Sequence, residues 1–271
     1  MMNNIPIFDT LTHPTIDGDW IMPKYPQCAG IDKMLDEMRA NNIKKAFAVG
    51  MKGIGSYDQE KFIELVRSKA PDELLPVAFF DFDDIATTQG VVNKLITIKN
   101  IGYCGIKLHP RIGNFTLDNQ FLPIVIDKAN EMQLAVLFCT YFYSNKQSMT
   151  VNNIDRLNDM LLKVNEKSRV ILLHGGVVRL LEMMEIVRAF PNLFLDLSLT
   201  MCKYAGSSLD EDIKFLFQSF DRRICVGSDH PEINFATLRK RFNHFASFTT
   251  VEKAENIAHK NIESWINHYN T

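Results

Sequence analysis

Short apolar runs and longer periodic stretches alternate along the whole chain. An apolar run at 5–8 leads into Asp9-Thr10-Leu11-Thr12-His13-Pro14, then into a polar and aromatic loop with Trp20, Pro23, Tyr25 and Pro26. Ile31, Met34, Leu35 and Met38 follow at i, i+3, i+4 and i+7, the spacing that puts one apolar stripe on a helix. The run at 43–49, closed by Gly50, predicts a strand. Ser56 and Gln59 have capping-box spacing before a helix through Phe62 and Val66. Further strands are predicted at 74–80, 103–108, 134–139, 169–173, 193–197 and 224–226. Helices are predicted through Val92 and Ile96, over 121–132, 154–164 and 178–190, and through Ile213 and Phe217, the last with Ser208 and Glu211 as a second capping box. Helical segments, among them 249–257 and 261–269, finish the chain.

Eight strands alternating with helices imply a parallel sheet, and strongly apolar strands suit a sheet covered on both faces. The count predicts a single (β/α)8 TIM barrel over 1–271, with an open doubly wound sheet as the alternative. No Gly-x-Gly-x-x-Gly follows the first strand, which weighs against a dinucleotide site.

Composition changes this picture little. The chain has 271 residues, 46% of them hydrophobic, enough for a large core. With 30 basic and 32 acidic residues and no polybasic run, nucleic acid and anionic membranes are poor partners. No apolar run approaches the roughly 20 residues of a membrane span. The opening Met-Met-Asn-Asn-Ile-Pro lacks the basic start and apolar core of a signal peptide. Five scattered cysteines, an odd number without Cys-x-x-Cys spacing, fit a reducing cytoplasm. A small-molecule substrate is the expected partner, and a homo-oligomer is compatible with the composition.

The chemistry gathers where strands end. Gly227-Ser228-Asp229-His230-Pro231 stops an apolar run and leaves an acid beside a histidine at a strand exit. Carboxylates are costly to bury unless paired or bound to a cation. Asp9, His13, His109, Cys139, His174, Asp229 and His230 all fall at such exits, the end at which barrels of this kind carry their active sites. Each alone has a bland reading: Asp229 an N-cap, His109 a helix cap, Cys139 a small buried hydrophobe, His174 a turn before Gly175-Gly176. Together they are ligand types for zinc and related metals.

Four segments in order make the chain resemble the amidohydrolase superfamily, in its amidohydrolase-2 branch of hydrolases, lactonases and decarboxylases. Asp9-Thr10-Leu11-Thr12-His13 resembles the strand-one Asp-x-His-x-His, and His174-Gly175-Gly176 the sixth-strand His-Gly-Gly. The segment 192–198 is similar to the seventh strand, Gly227-Ser228-Asp229-His230-Pro231 to Gly-Ser-Asp-x-Pro, and Asn261 to the Asn opening the last helix. Two positions depart: Leu11 replaces a ligand histidine, and Cys139 stands where the fifth-strand histidine ligand belongs.

The resemblance implies a divalent metal, zinc by ligand type, held by His13, Cys139 and Asp229, although chemistry without metal also occurs in the branch. It implies Asp229 as general base and His174 as the group polarising a carbonyl. Lys107, His109 and Arg111 suit a substrate carboxylate, and Trp20, Tyr25, Tyr141 and Tyr143 could wall a ring. Hydrolysis of a lactone, amide or ester is the leading expectation. Non-oxidative decarboxylation at the same residues and a degenerate ligand-binding barrel are the alternatives.

Overall fold

A computed structural model describes residues 4–21, 28–143 and 153–267. Its strands are β1 (Ile7–Thr12), β2 (Ile43–Val49), β3 (Leu74–Phe80), β4 (Gly105–Leu108), β5 (Ala135–Cys139), β6 (Val170–Leu173), β7 (Leu193–Asp196) and β8 (Ile224–Cys225). They make one sheet ordered as in the chain, with helices between them, the (β/α)8 barrel expected from the sequence. The chain divides into two compact units, 1–76 with 196–271, and 77–195.

The first unit holds α1 (Ile31–Ala40), α2 (Gln59–Lys69) and the helices after β7: α3 (Thr200–Lys203), α4 (Leu209–Ser219), α5 (Phe235–Ala246), α6 (Val251–Glu255) and α7 (Asn261–Asn267). β1 pairs in parallel with β2, with Asp9 opposite Ala46 and Thr12 opposite Ala48. On its other side the Thr10 N–H donates to the Val226 carbonyl at 3.1 Å, the Asp229 N–H to Leu11 at 2.9 Å, and the His13 N–H to His230 at 2.8 Å. The pairing of β1 therefore runs past Cys225 to His230. Gly227 permits this approach, because a Cβ there would meet Thr10 Oγ1 at 2.9 Å and the Leu11 nitrogen at 3.0 Å.

The second unit holds residues 77–80 of β3, all of β4 to β6 and residues 193–195 of β7. Its helices are α8 (Thr88–Ile101), α9 (Leu122–Glu131), α10 (Asn153–Leu161) and α11 (Leu180–Ala189). Phe79 lies opposite Lys107, Leu108 opposite Phe138, and Cys139 opposite Leu173. Each helix of this unit turns an apolar stripe inward, Val91, Leu95 and Ile98 on α8 for example.

Three local expectations are corrected. β1 extends to Thr12, so Asp9 lies within the strand and is buried there rather than standing at its exit. The cap of α2 is Asp58, whose carboxylate accepts the Glu60 and Lys61 N–H groups, while the Ser56 hydroxyl donates to Asp17. Ser208 makes no side-chain cap on α4. Among the described residues no helix is long and apolar enough to cross a membrane.

Candidate active site

The candidate residues gather in two groups, one in each unit. In the first unit the organising group is buried Asp9. Its Oδ1 accepts the N–H of Leu11 at 3.0 Å and of Ser228 at 3.0 Å. Burial pushes the Asp9 carboxyl up to about 7; hydrogen bonds from Ser228 and Leu11 oppose the rise and the nearby Asp196 charge adds to it. Asp196 accepts the hydroxyls of Thr10 and Ser198 and the Ser198 N–H. These carboxylates clip β1 to the segment after β8 and fix Asp229, whose backbone is left-handed at φ 62°. The Ser228 hydroxyl accepts the His230 N–H at 2.9 Å.

The clip aims Asp229 at His13. Asp229 Oδ1 lies 3.3 Å from His13 Nε2. His13 Nδ1 lies 2.8 Å from the Val49 carbonyl, which only accepts, so Nδ1 carries a proton and Nε2 is the nitrogen presented to the carboxylate. Trp20 stacks on the His13 ring at 5.2 Å and 19°, and its indole N–H donates to Glu232 Oε1 at 2.7 Å. His230 stacks on Phe235 at 4.7 Å. Burial, then the charges of His13 and Lys33, push its imidazole down to about 4.

The second unit brings together Lys107, His109, Arg111, Cys139, Tyr141 and His174. The strand register does this: His109 follows Leu108 opposite Phe138, and Cys139 lies opposite Leu173, one residue before His174. Burial would raise the Cys139 thiol, but the charges of His109 and His174 and their hydrogen bonds outweigh it and hold the thiol well below its usual range. Burial pushes His109 down, against the opposing pull of Cys139. The chain leaves β6 in left-handed steps, with φ 67° at His174, 56° at Gly175, 69° at Gly176 and 59° at Val177. Thr140 holds this turn, accepting the Gly176 N–H at 2.9 Å while its hydroxyl donates to the Leu173 carbonyl. Tyr141 meets His174 edge-on at 6.1 Å, and the Arg111 guanidinium sits 4.9 Å over the Tyr141 ring. Lys107 is buried in β4. Tyr143 hydrogen-bonds Arg179, and Tyr25 lies outside the described residues.

The donors do not fit the metal expected from His13, Cys139 and Asp229. Leu11 fills a ligand position with a fully buried apolar side chain, and the Cys139 sulfur is engaged by two imidazoles of its own unit. Among the described residues no group of three or more His, Cys, Asp or Glu side chains is arranged to hold an ion.

Sequence reasoning passed over the buried Thr10, Ser198 and Ser228 that serve the two carboxylates. Their signal was available: small hydroxyl residues interrupting or ending apolar runs beside acids at 9 and 196.

The sequence model of one family, described as Amidohydrolase, matches residues 11–265. No curated protein matches the chain. Among solved structures, an uncharacterized TIM-barrel protein of Bordetella bronchiseptica is similar at 17% identity and TM-score 0.80, over 98% of this chain and 100% of that one. A 2,6-dihydroxybenzoate decarboxylase from Rhizobium is similar at 14% identity and TM-score 0.65, over 97% and 99%. The 5-carboxyvanillate decarboxylase of Novosphingobium aromaticivorans, complexed with manganese and 4-hydroxy-3-methoxy-5-nitrobenzoic acid, is similar at 11% and 0.65, over 98% and 97%.

Proposed function

The chain belongs to the amidohydrolase family, a family of enzymes, and on that premise we propose that it hydrolyses a small carbonyl substrate (a lactone, amide or ester) with Asp229 as general base. The observation that carries this reading is the Asp229 carboxylate, held on a left-handed backbone and facing His13 Nε2 at 3.3 Å. An aspartate adopts that region more readily than most residues, so the turn can aim the carboxylate without a glycine. Two lone pairs do not face each other stably at such a distance, so the pair is suited to holding one proton between them.

In this reading Asp229 takes the proton of the attacking water as the carbon–oxygen bond forms, and gives it to the leaving group as the tetrahedral intermediate collapses. His13, its other nitrogen fixed on Val49, holds Asp229 in place and shares the proton. The family resemblance gives His174 the polarising of the carbonyl, a hydrogen bond that strengthens as charge develops on oxygen.

The test is turnover by the purified protein on a panel of lactones, esters and amides, with 2,6-dihydroxybenzoate and 5-carboxyvanillate included because two similar structures are decarboxylases named for those acids. Hydrolysis is expected, and Asp229→Asn should lower kcat by about 10²–10⁴. Near-wild-type turnover in that variant would remove Asp229 from the role. Release of CO2 in place of hydrolysis would establish the decarboxylase reading.

A further inference from the structure

Beside His13, in the first unit, the loops that leave β1 and β2 close on a narrow cleft. Ile16, Trp20, Met51, Ile54, Tyr57 and Phe62 form most of its walls, and His13 and Thr15 lie among them. We infer that this cleft is a substrate subsite, which takes a short uncharged alkyl group bearing one oxygen and pairs that oxygen with the Thr15 hydroxyl. Its catalytic meaning rests on the role given to Asp229 above; binding in the cleft is observable without turnover.

Thr15 is 6% exposed, and its Oγ1 is buried without a hydrogen-bond partner among the described residues. Its backbone is served, because the Thr15 N–H donates to the Ala29 carbonyl at 2.9 Å. The side chain alone is left over. A buried hydroxyl in that state is destabilising, and native proteins keep few of them. A valine of the same shape would spare the fold that cost. A partner that arrives with a ligand gives the threonine its reason.

The surroundings are built to bring Thr15 there. Gly55 has φ 59°, and a Cβ on it would stand 2.2 Å from Thr15 Cβ, so the two loops touch only because this residue is glycine. The Ile16 N–H donates to the Gly55 carbonyl at 3.1 Å, and the Ser56 hydroxyl to Asp17 at 2.6 Å. These contacts hold Thr15 against the loop after β2. Trp20 lies flat on His13, and His13 Nε2 faces Asp229, so the cleft adjoins the base.

The lining sets the chemistry of the occupant. No Asp, Glu, Lys or Arg lines the cleft, and the His13 imidazole is engaged by Val49 and Asp229. A charged group would be desolvated there without compensation. The walls offer apolar surface and one hydroxyl, which can give or accept a hydrogen bond. Counting its open mouth, the space measures about 180 Å³. At the roughly 30 Å³ of a water-sized group, about six non-hydrogen atoms are the upper limit. The walls stand close together, and two of them can yield. Met51 is unbranched with three rotatable bonds, and the indole N–H of Trp20 is held by Glu232 in an exposed hydrogen bond.

The probe for this site is 1-butanol, with butyrate and butylammonium as charged counterparts of similar length. Each is titrated into the full-length protein carrying ¹³C-methyl methionine and ¹⁵N-tryptophan. 1-Butanol should move the Met51 methyl and Trp20 indole signals along a saturable curve, and the two charged probes should leave them in place. Thr15→Val should weaken the butanol curve by about 3–10-fold. Without probe, the same variant should unfold at a higher urea concentration than the wild type. On a lactone that turns over, the wild type should prefer a hydroxyl-ended side chain to a methyl-ended one, and that preference should shrink by a similar factor in Thr15→Val. Absence of saturation with 1-butanol, or equal shifts with the charged probes, overturns the subsite. A Thr15→Val protein no more stable than the wild type shows that the hydroxyl already has a partner, a bound water included, and overturns its role; so does an unchanged butanol curve in the variant. The wild-type titrations need no variant. Saturation by 1-butanol in a protein that turns over no lactone, ester or amide sinks the hydrolase reading and leaves the subsite standing.

Discussion

At the residue scale, one buried carboxyl sets how the molecule responds to pH. Asp9 is raised from 3.8 to about 7 by burial. The folded state therefore keeps a proton that the unfolded chain releases above about pH 4. Its contribution to stability is full below the unfolded value, is lost as pH rises toward 7, and stays lost above it. Asp9→Asn preserves an oxygen for the Leu11 and Ser228 N–H groups and removes the titration. Urea unfolding at about pH 4.5 and pH 7.5 should show the variant gaining on the wild type as pH rises, with a ceiling of the order of 4 kcal/mol. Parallel curves for the two proteins would show that Asp9 is ionised in the fold at both pH values. The same substitution leaves Asp229 untouched, so lost activity would measure how far the clip positions the base.

At the element scale, the joints between helices and strands depend on single polar side chains. Arg239 on α5 donates from Nε to the Asn41 carbonyl, from Nη1 to Ile5 and from Nη2 to Asn42, each at 2.9 Å. It thereby ties α5 to the turn between α1 and β2 and to the entry of β1. Arg239→Lys keeps the charge, but one ammonium cannot span three carbonyls. Chemical denaturation should show a loss of about 2–3 kcal/mol with the slope unchanged; a loss under about 0.5 kcal/mol would mean water replaces the guanidinium fully.

The same scale shows what the sequence makes legible. Ile43–Val49 and Leu74–Phe80 match their predicted bounds because continuous apolar runs between turn signals have few other uses. Asp9 was misplaced because a carboxylate and two threonines look like the end of a run, whereas three N–H···O contacts and Asp196 make the interior of β1 tolerable for them. The caps failed for a local reason: Asp58 reaches two N–H groups of α2, and Ser56 is taken by Asp17.

At the scale of the whole molecule, alternation of strand and helix carries the barrel, and chain order carries the family, because each motif follows the strand it should. The state of the site was less legible. The left-handed steps at His174 and Asp229 occur at residues other than glycine, so nothing in their identity announces them. The tautomers of His13 and His109 depend on a carbonyl and an N–H that are fixed only on folding.

One contact in the first unit supplies an optical gauge. The chain has two tryptophans, and one of them, Trp20, lies flat against the imidazole of His13. Emission from Trp265→Phe, which leaves Trp20 as the sole indole, should therefore report the surroundings of that stacked ring. His13→Asn in that background removes the stacked imidazole and should shift the emission, and an unchanged spectrum would show that the stack does not set it. A ligand that displaces the stack would then report its own binding as a change in light, before any product is known.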